Sequence, residues 1–213
     1  MERRLREAVR YLGYGKNTAD ERTCGIIREA YRQLEETAEP KSICRVFGME
    51  QKAEGRIKAG PLEITSRNLG NNLRGCVKLV VFGATLGIGV DRLIKRTSVV
   101  DMSRAVILQA CAAVLLEEYC DRVQAEAGNE LEKEGLFLRP RFSPGYGDFD
   151  IRYQEPIMQV LDCAKTIGLT LTEGYMMTPS KSVTAVIGAG PFRKNCPTAG
   201  CEACGKTDCA YRR

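Results

Sequence analysis

Apolar positions fall into two kinds of periodicity along this chain, and each marks a different element. In "NTADERTCGIIREAYRQLEET", Ile26, Ile27, Ala30 and Leu34 recur at the three- and four-residue spacing of one helical face. Thr18 and Glu21 stand ahead of them at capping-box spacing, so a helix over about 19–37 is expected. "KSICRVFGM" and "GPLEITS" alternate or run β-branched and predict strands, with Gly48 expected to end the first. "CVKLVVFGATLG" is a continuous apolar run between glycines, the pattern of a strand buried on both faces.

From Ser98, with Asp101 three residues on, a long helix is expected. It is apolar nearly all round from Ala105 to Leu116 and turns amphipathic only in "EEYCDRVQAEAGNELEKEG", which makes it the central helix of the core; Gly135 ends it. "LRPRFSPGYGDFD" is a loop dense in Pro, Gly and aromatic residues. A second helix, roughly Gln154 to Ile167, places Ile157, Val160, Leu161 and Ala164 on one face, and two strands, "LTLTEGYMM" and "SVTAVIGAG", follow across Pro179. Strands and helices mix without a βαβ rhythm, which predicts an α+β domain with a largely antiparallel sheet. The glycines of "GATLGIGVDR" are not spaced as G-x-G-x-x-G and no acidic residue follows at the required distance, so a dinucleotide-binding reading is rejected.

Composition narrows the chemistry. The 213 residues are 44% hydrophobic and 28% charged, which suits one substantial core. The N-terminus alternates Arg and Glu without an apolar signal-peptide core, and the run Ala105 to Leu116 is shorter than the roughly 20 residues a spanning helix needs. A cytoplasmic protein without a membrane segment is expected. Lys and Arg exceed Asp and Glu by 32 to 27 without forming a block, which falls short of a nucleic-acid footprint and fits an acidic protein partner. There is no histidine, so a Ser-His-Asp triad, a Cys-His pair, an imidazole metal site and a histidine axial ligand are all excluded. Six of the ten cysteines lie scattered, in contexts such as "LQACAAVLL" and "VLDCAKTIG", and read as core thiols.

Two stretches carry candidate chemistry. In "RFSPGYGDFD", Arg141 offers a guanidinium able to hold a carboxylate in a bidentate pair, Pro144 and Gly145 turn the backbone towards a ligand, and Tyr146 adds a flat face with a hydroxyl. By itself this is also the composition of a surface turn. In the tail, Cys196-x4-Cys201-x2-Cys204-x4-Cys209 sets four thiols among Gly, Pro and small residues, a soft all-sulfur set that selects zinc or an iron–sulfur cluster. "CEACG" has the turn of a zinc knuckle, while the close spacing suits a cubane; reactive thiols or disulfides are the plainer alternatives.

Over Ser98 to Gly190 the order and spacing of these stretches resemble the activation domain of cobalamin-dependent methionine synthase. Its motif Arg-Pro-Ala-Pro-Gly-Tyr is matched by Arg141, Pro144, Gly145 and Tyr146, and its motif Glu-Ser-x-x-Met-x-Pro-x-x-Ser-Val-Ser is tracked by Glu173, Met177, Pro179, Ser182, Val183 and Thr184. Upstream, "FGATLGIGVDRLIKR" resembles the short, free-standing members of that family. The resemblance implies a single domain over 1–190, with a bent sheet packed by helices, followed by the four-cysteine tail at 191–213. It implies a shallow groove for S-adenosylmethionine (AdoMet) in which Arg141 pairs with the ligand carboxylate, the backbone at Pro144 and Gly145 with Tyr146 meets the adenosine, and Glu173 contributes an acidic contact. The chain departs from the pattern at Ile187 and Gly188, where the large enzyme has an aromatic pair, and at Ala113, where it has a helix acid.

The expected role is then a free-standing activation protein supporting AdoMet-dependent reductive remethylation of cob(II)alamin on a methionine synthase. The methyl group passes between two cofactors, so the protein orients them and has no catalytic residue of its own. Its expected partners are the cobalamin-binding module and an acidic flavodoxin or ferredoxin donor. Two other readings stay open: an iron–sulfur electron-transfer or reactivase protein for another corrinoid methyltransferase, and a zinc-stapled binding module. The latter would meet nucleic acid through Arg193, Lys194, Lys206, Arg212 and Arg213, which are few phosphate contacts.

Overall fold

Two strands that are buried along almost their whole length, Lys78–Thr85 and Ser182–Gly190, lie side by side at the centre of the computed structural model, which describes residues 2–14, 18–52 and 55–192. With β1 (Lys41–Gln51), β2 (Arg56–Ala59) and β3 (Leu62–Thr65), they are β4 and β8 of a six-stranded sheet completed by β5 (Phe137–Leu138), in the order β3-β2-β1-β4-β8-β5. Every pairing is antiparallel, with Lys78 opposite Ala189 and Thr85 opposite Ser182 in the central pair. The expected α+β class with an antiparallel sheet is the observed one.

Both faces of the sheet are covered. On one, Val80, Phe82, Ala84, Ala185 and Ile187 join Ile27, Tyr31 and Leu34 of α2 (Glu21–Thr37) and Ile107, Leu108, Cys111 and Ala112 of α5 (Met102–Glu132) in a continuous core. Helices α1 (Glu2–Tyr11) and α4 (Ile88–Val100) close that layer. On the other, Leu79, Val81 and Val186 pack with Leu69 and Leu73, and with Ile157 and Leu161. Leu69 lies in α3 (Arg67–Asn72), and Ile157 and Leu161 lie in α6 (Gln154–Leu161). The wide apolar stretch of α5 is largely buried here, from Ala105 to Leu116, with Val106 and Gln109 left exposed. Among the described residues, no helix is long and apolar enough to cross a membrane.

Several boundaries differ from the sequence expectation for identifiable reasons. Asp20, not Thr18, caps α2, its carboxylate accepting from the Thr23 amide at 2.7 Å. Asp101, not Ser98, caps the long helix through the Arg104 amide at 3.0 Å; Ser98 lies inside α4 and donates to the Lys95 carbonyl. A carboxylate accepts more strongly than a hydroxyl, and Asp stood within reach in both cases. Gly48 does not end β1. It is where the strand changes partner, pairing with Lys78 of β4 at Gly48 and with Ala59 of β2 at Met49. The helix expected over 154–167 breaks at Asp162, which takes a left-handed φ of 52° and starts α7 (Cys163–Thr166). That turn buries Cys163 and leaves Ala164 exposed. "LTLTEGYMM" is not one strand but a separate hairpin, β6 (Thr170–Leu171) against β7 (Met177–Thr178). The short strand β2 was not expected at all.

Of the scattered cysteines, Cys76, Cys111, Cys120 and Cys163 are buried free thiols, whereas Cys24 and Cys44 are only partly covered. Burial pushes the Cys111 and Cys120 thiols up to about 12, so both stay protonated at neutral pH. Gly87 shows why glycine is required after β4: at φ 85° it opens α4, and a Cβ there would press on Glu39 beside the end of α2.

Candidate functional site

Arg141 follows the short edge strand β5, where the chain still runs along β8: the Arg139 amide donates to Gly188 and the Phe142 amide to Val186. This holds the Arg141 side chain over the second half of α5. There its guanidinium donates to Gln124 Oε1 at 2.8 Å, to Glu117 Oε2 at 2.9 Å and to Asp121 Oδ1 at 2.7 Å. Glu117, Asp121 and Gln124 stand at i, i+4 and i+7, hence on one face of the helix. Burial disfavours the charge on Arg141, but the hydrogen bond to Asp121 and the nearby carboxylates outweigh it and hold its pKa above the ordinary value. Arg139, two residues earlier, is buried and its Nε has no hydrogen-bond partner among the described residues.

The result is a cation between two anions at the surface. The Arg141 side chain is 17% exposed, while Glu117 and Asp121 keep 44% and 61% of theirs in solvent. Glu117 and Asp121 are the acids that sequence reasoning missed. One turn beyond Ala113, "EEYCD" carries the carboxylates at the spacing that reaches Arg141.

Beyond Arg141 the loop tightens into a turn. Pro144 is buried, Gly145 adopts φ 94° and donates its amide to Phe149 at 2.7 Å, and Tyr146 stands out at 67% exposure. The Tyr146 ring meets Phe142 edge-on, with centroids 6.4 Å apart, and Phe142, Phe149 and Tyr153 continue the aromatic contact inward. A side chain at residue 145 would be strained by φ and would press on Ile151, so glycine is needed for this turn.

Asp148 fixes the far end of the turn. Its carboxylate accepts from Ser66 Oγ at 2.5 Å, from the Arg67 amide at 2.8 Å and from the Asn68 amide at 3.1 Å, and so ties the loop to the start of α3. The Ser66 hydrogen bond, followed by the two amides, lowers the Asp148 pKa.

Arg141, Pro144, Gly145 and Tyr146 therefore share one loop. Glu173 sits elsewhere, exposed at the tip of the β6–β7 hairpin, and makes no hydrogen bond or ion pair to that loop among the described residues. Cys196, Cys201, Cys204 and Cys209, like the basic residues from Arg193 onward, lie outside the described residues. Among the described residues no three His, Cys, Asp or Glu side chains are grouped to hold a metal.

None of the curated proteins matches the chain. Among solved structures, a crystal structure of the MetH reactivation domain bound to AdoHcy is similar, with a TM-score of 0.63 over 89% of this chain and 76% of that one. Sequence identity is 16%, so this likeness shows the fold. Residues 76–195, more than half of the chain, match the family model of the vitamin B12 dependent methionine synthase activation domain. By that match, the chain belongs to the activation-domain family of vitamin B12 dependent methionine synthase.

Proposed function

We propose that this protein binds AdoMet at the Arg141 loop and supports reductive remethylation of cob(II)alamin carried by a methionine synthase that is a separate polypeptide. One observation carries the reading: a guanidinium flanked by two partly exposed carboxylates, on the same loop as an exposed aromatic ring. AdoMet presents the complementary set, an α-carboxylate, an ammonium and sulfonium, and a flat adenine. Arg141 pairs with the carboxylate, Glu117 and Asp121 with the cationic groups, and Tyr146 with the adenine, while backbone at Pro144 and Gly145 lines the turn. Arg141 is held by protein carboxylates in this structure, so a ligand carboxylate exchanges one charge-assisted bond for another and the guanidinium stays positioned. Glu173, on the hairpin, is assigned as a further acidic contact.

AdoMet supplies the methyl group, and an acidic flavodoxin or ferredoxin supplies the electron that makes the corrinoid nucleophilic. The chain's own part is to hold AdoMet at a fixed angle and exclude alternatives, which needs no histidine and no general base. We assign this role to 1–190. The tail at 191–213 we assign to one metal centre held by Cys196, Cys201, Cys204 and Cys209. Four thiolates suit either zinc or an iron–sulfur cluster. We favour the cluster because reactivation consumes an electron and zinc has no redox chemistry.

The reading is tested on a methionine synthase without its own activation module, oxidised to cob(II)alamin and supplied with AdoMet and a reduced donor. Addition of this protein restores turnover, and the rate falls with salt as donor docking is screened; no recovery at any salt overturns the reading.

Asp148 is a positioning residue for the ligand turn. Its native pKa is lowered, so its contribution is complete above the unfolded carboxylate value of roughly 4 and is lost as pH falls through the native one. AdoMet affinity is expected to drop about tenfold in Asp148→Ala and to fall on acidification in the wild type more steeply than in Asp148→Asn. Identical pH profiles for wild type and Asp148→Asn would remove the assignment.

Anaerobic purification decides the tail. Iron with inorganic sulfide and absorption near about 400 nm is the expected result. One zinc per chain leaves a structural staple, and a metal-free preparation with four titratable tail thiols rejects any metal centre.

A further inference from the structure

At the corner where α4 meets α5 the protein exposes an apolar cluster that its own fold does not use. Val99 and Val100, in the last turn of α4, are 84% and 89% exposed, and Met102 and Val106, one turn apart at the start of α5, are 64% and 51% exposed. Surface positions of this size occur singly on most proteins; four within eight residues form a patch.

The patch continues into charge. Arg92, Lys95 and Arg96 are exposed at the helical spacing that puts them on the same face of α4 as Val99 and Val100. Among the described residues none of the three has an ion-pair or hydrogen-bond partner for its side chain. The two acids nearest in sequence are committed elsewhere. Asp91 accepts from the Ser180 amide and hydroxyl at 2.6 and 2.8 Å, and Asp101 caps α5 and accepts from Ser103. Arg104 is paired with Glu29 across to α2. What remains is three uncompensated cations leading to an apolar knuckle.

We infer that this face docks an acidic protein surface, carboxylates around an apolar centre, and that the corrinoid-bearing synthase presents it. The inference rests on the function proposed above for the identity of the partner, and on charge complementarity for its chemistry. Met102 lies fifteen residues before Glu117 on α5, which is about 22 Å at 1.5 Å per residue. The face is therefore a second contact, apart from the AdoMet groove, and orients the partner while the groove meets the cofactor. Two other occupants fit less well. A second copy of the chain docked through the same patch would add a second set of the three cations to the interface and supply no acidic surface for either set. An anionic membrane is entered chiefly by Trp, Phe and Leu, and this knuckle has only Val and Met.

The test uses the full chain and two variants, Val99→Ser with Val100→Ser, and Arg92→Glu with Lys95→Glu and Arg96→Glu. All altered positions are exposed, so folding is preserved. Binding to the cob(II)alamin synthase is measured at low salt, with AdoMet affinity as the control. Both variants are expected to bind the synthase at least about tenfold more weakly while AdoMet affinity stays at the wild-type value, and the charge variant is expected to lose the salt dependence of the wild type. Unchanged synthase affinity, with AdoMet binding intact, overturns the docking face and leaves the proposed function standing. So does binding to anionic vesicles, or self-association, that disappears in the valine variant while synthase binding does not. No synthase binding by the wild type removes both proposals together.

Discussion

The burial of α5 across the β4–β8 pair is the constraint on which the other parts depend. Ile107, Leu108, Cys111 and Ala112 of its first half fill the space over Val80, Phe82 and Ile187, while Ser103, Val106 and Gln109 face solvent. Once that half is fixed, the direction of the second half is fixed too, since a helix is stiff over this length. The carboxylates of Glu117 and Asp121 are thereby carried to one place at the edge of the sheet. Arg141 reaches the same place from β8, through backbone bonds at Arg139 and Phe142. The site is a meeting of two rigid elements, which is the arrangement that keeps a ligand-binding group within a fraction of an ångström.

Electrostatics and turn geometry divide the work around that meeting point. Arg141 is mostly covered, and such a charge is stable only with close anions; Glu117 and Asp121 provide them while remaining partly in water. On the proposed function, that pairing of signs is the complement of a zwitterion. The turn that follows is held at both ends, by Pro144 and Phe149 in the interior and by Asp148 on α3, while Tyr146 stays exposed. Rigid ends and an open centre are what a groove for a flat ligand needs.

Much of this was legible in the sequence. The periodicity of α5, the continuous apolar run of β4 and the Gly-rich turn at Pro144–Tyr146 each reflect local physics; β4 and the turn are where they were expected, and α5 begins four residues later. The motif around Arg141 identified the loop but not its partners, because Glu117 and Asp121 lie 24 and 20 residues away and only the packing of α5 brings them close. Asp148 was invisible for the same reason: its three donors are some 80 residues distant. The misplaced helix starts arose where two residues could each cap, and the break at Asp162 has neither Gly nor Pro to announce it. Local patterns located elements; only tertiary contact paired the charges.

The central claim, that the Arg141 cluster is an AdoMet site, is tested most directly by titrating the full chain with AdoMet in a calorimeter, for wild type, Arg141→Ala and Arg141→Lys. The account predicts a loss of about 10- to 100-fold in affinity for Arg141→Ala, the scale of a charge-assisted contact, and a smaller loss for Arg141→Lys, which keeps the charge without the planar fork. Equal affinity in all three proteins, with the fold intact by circular dichroism, would contradict it.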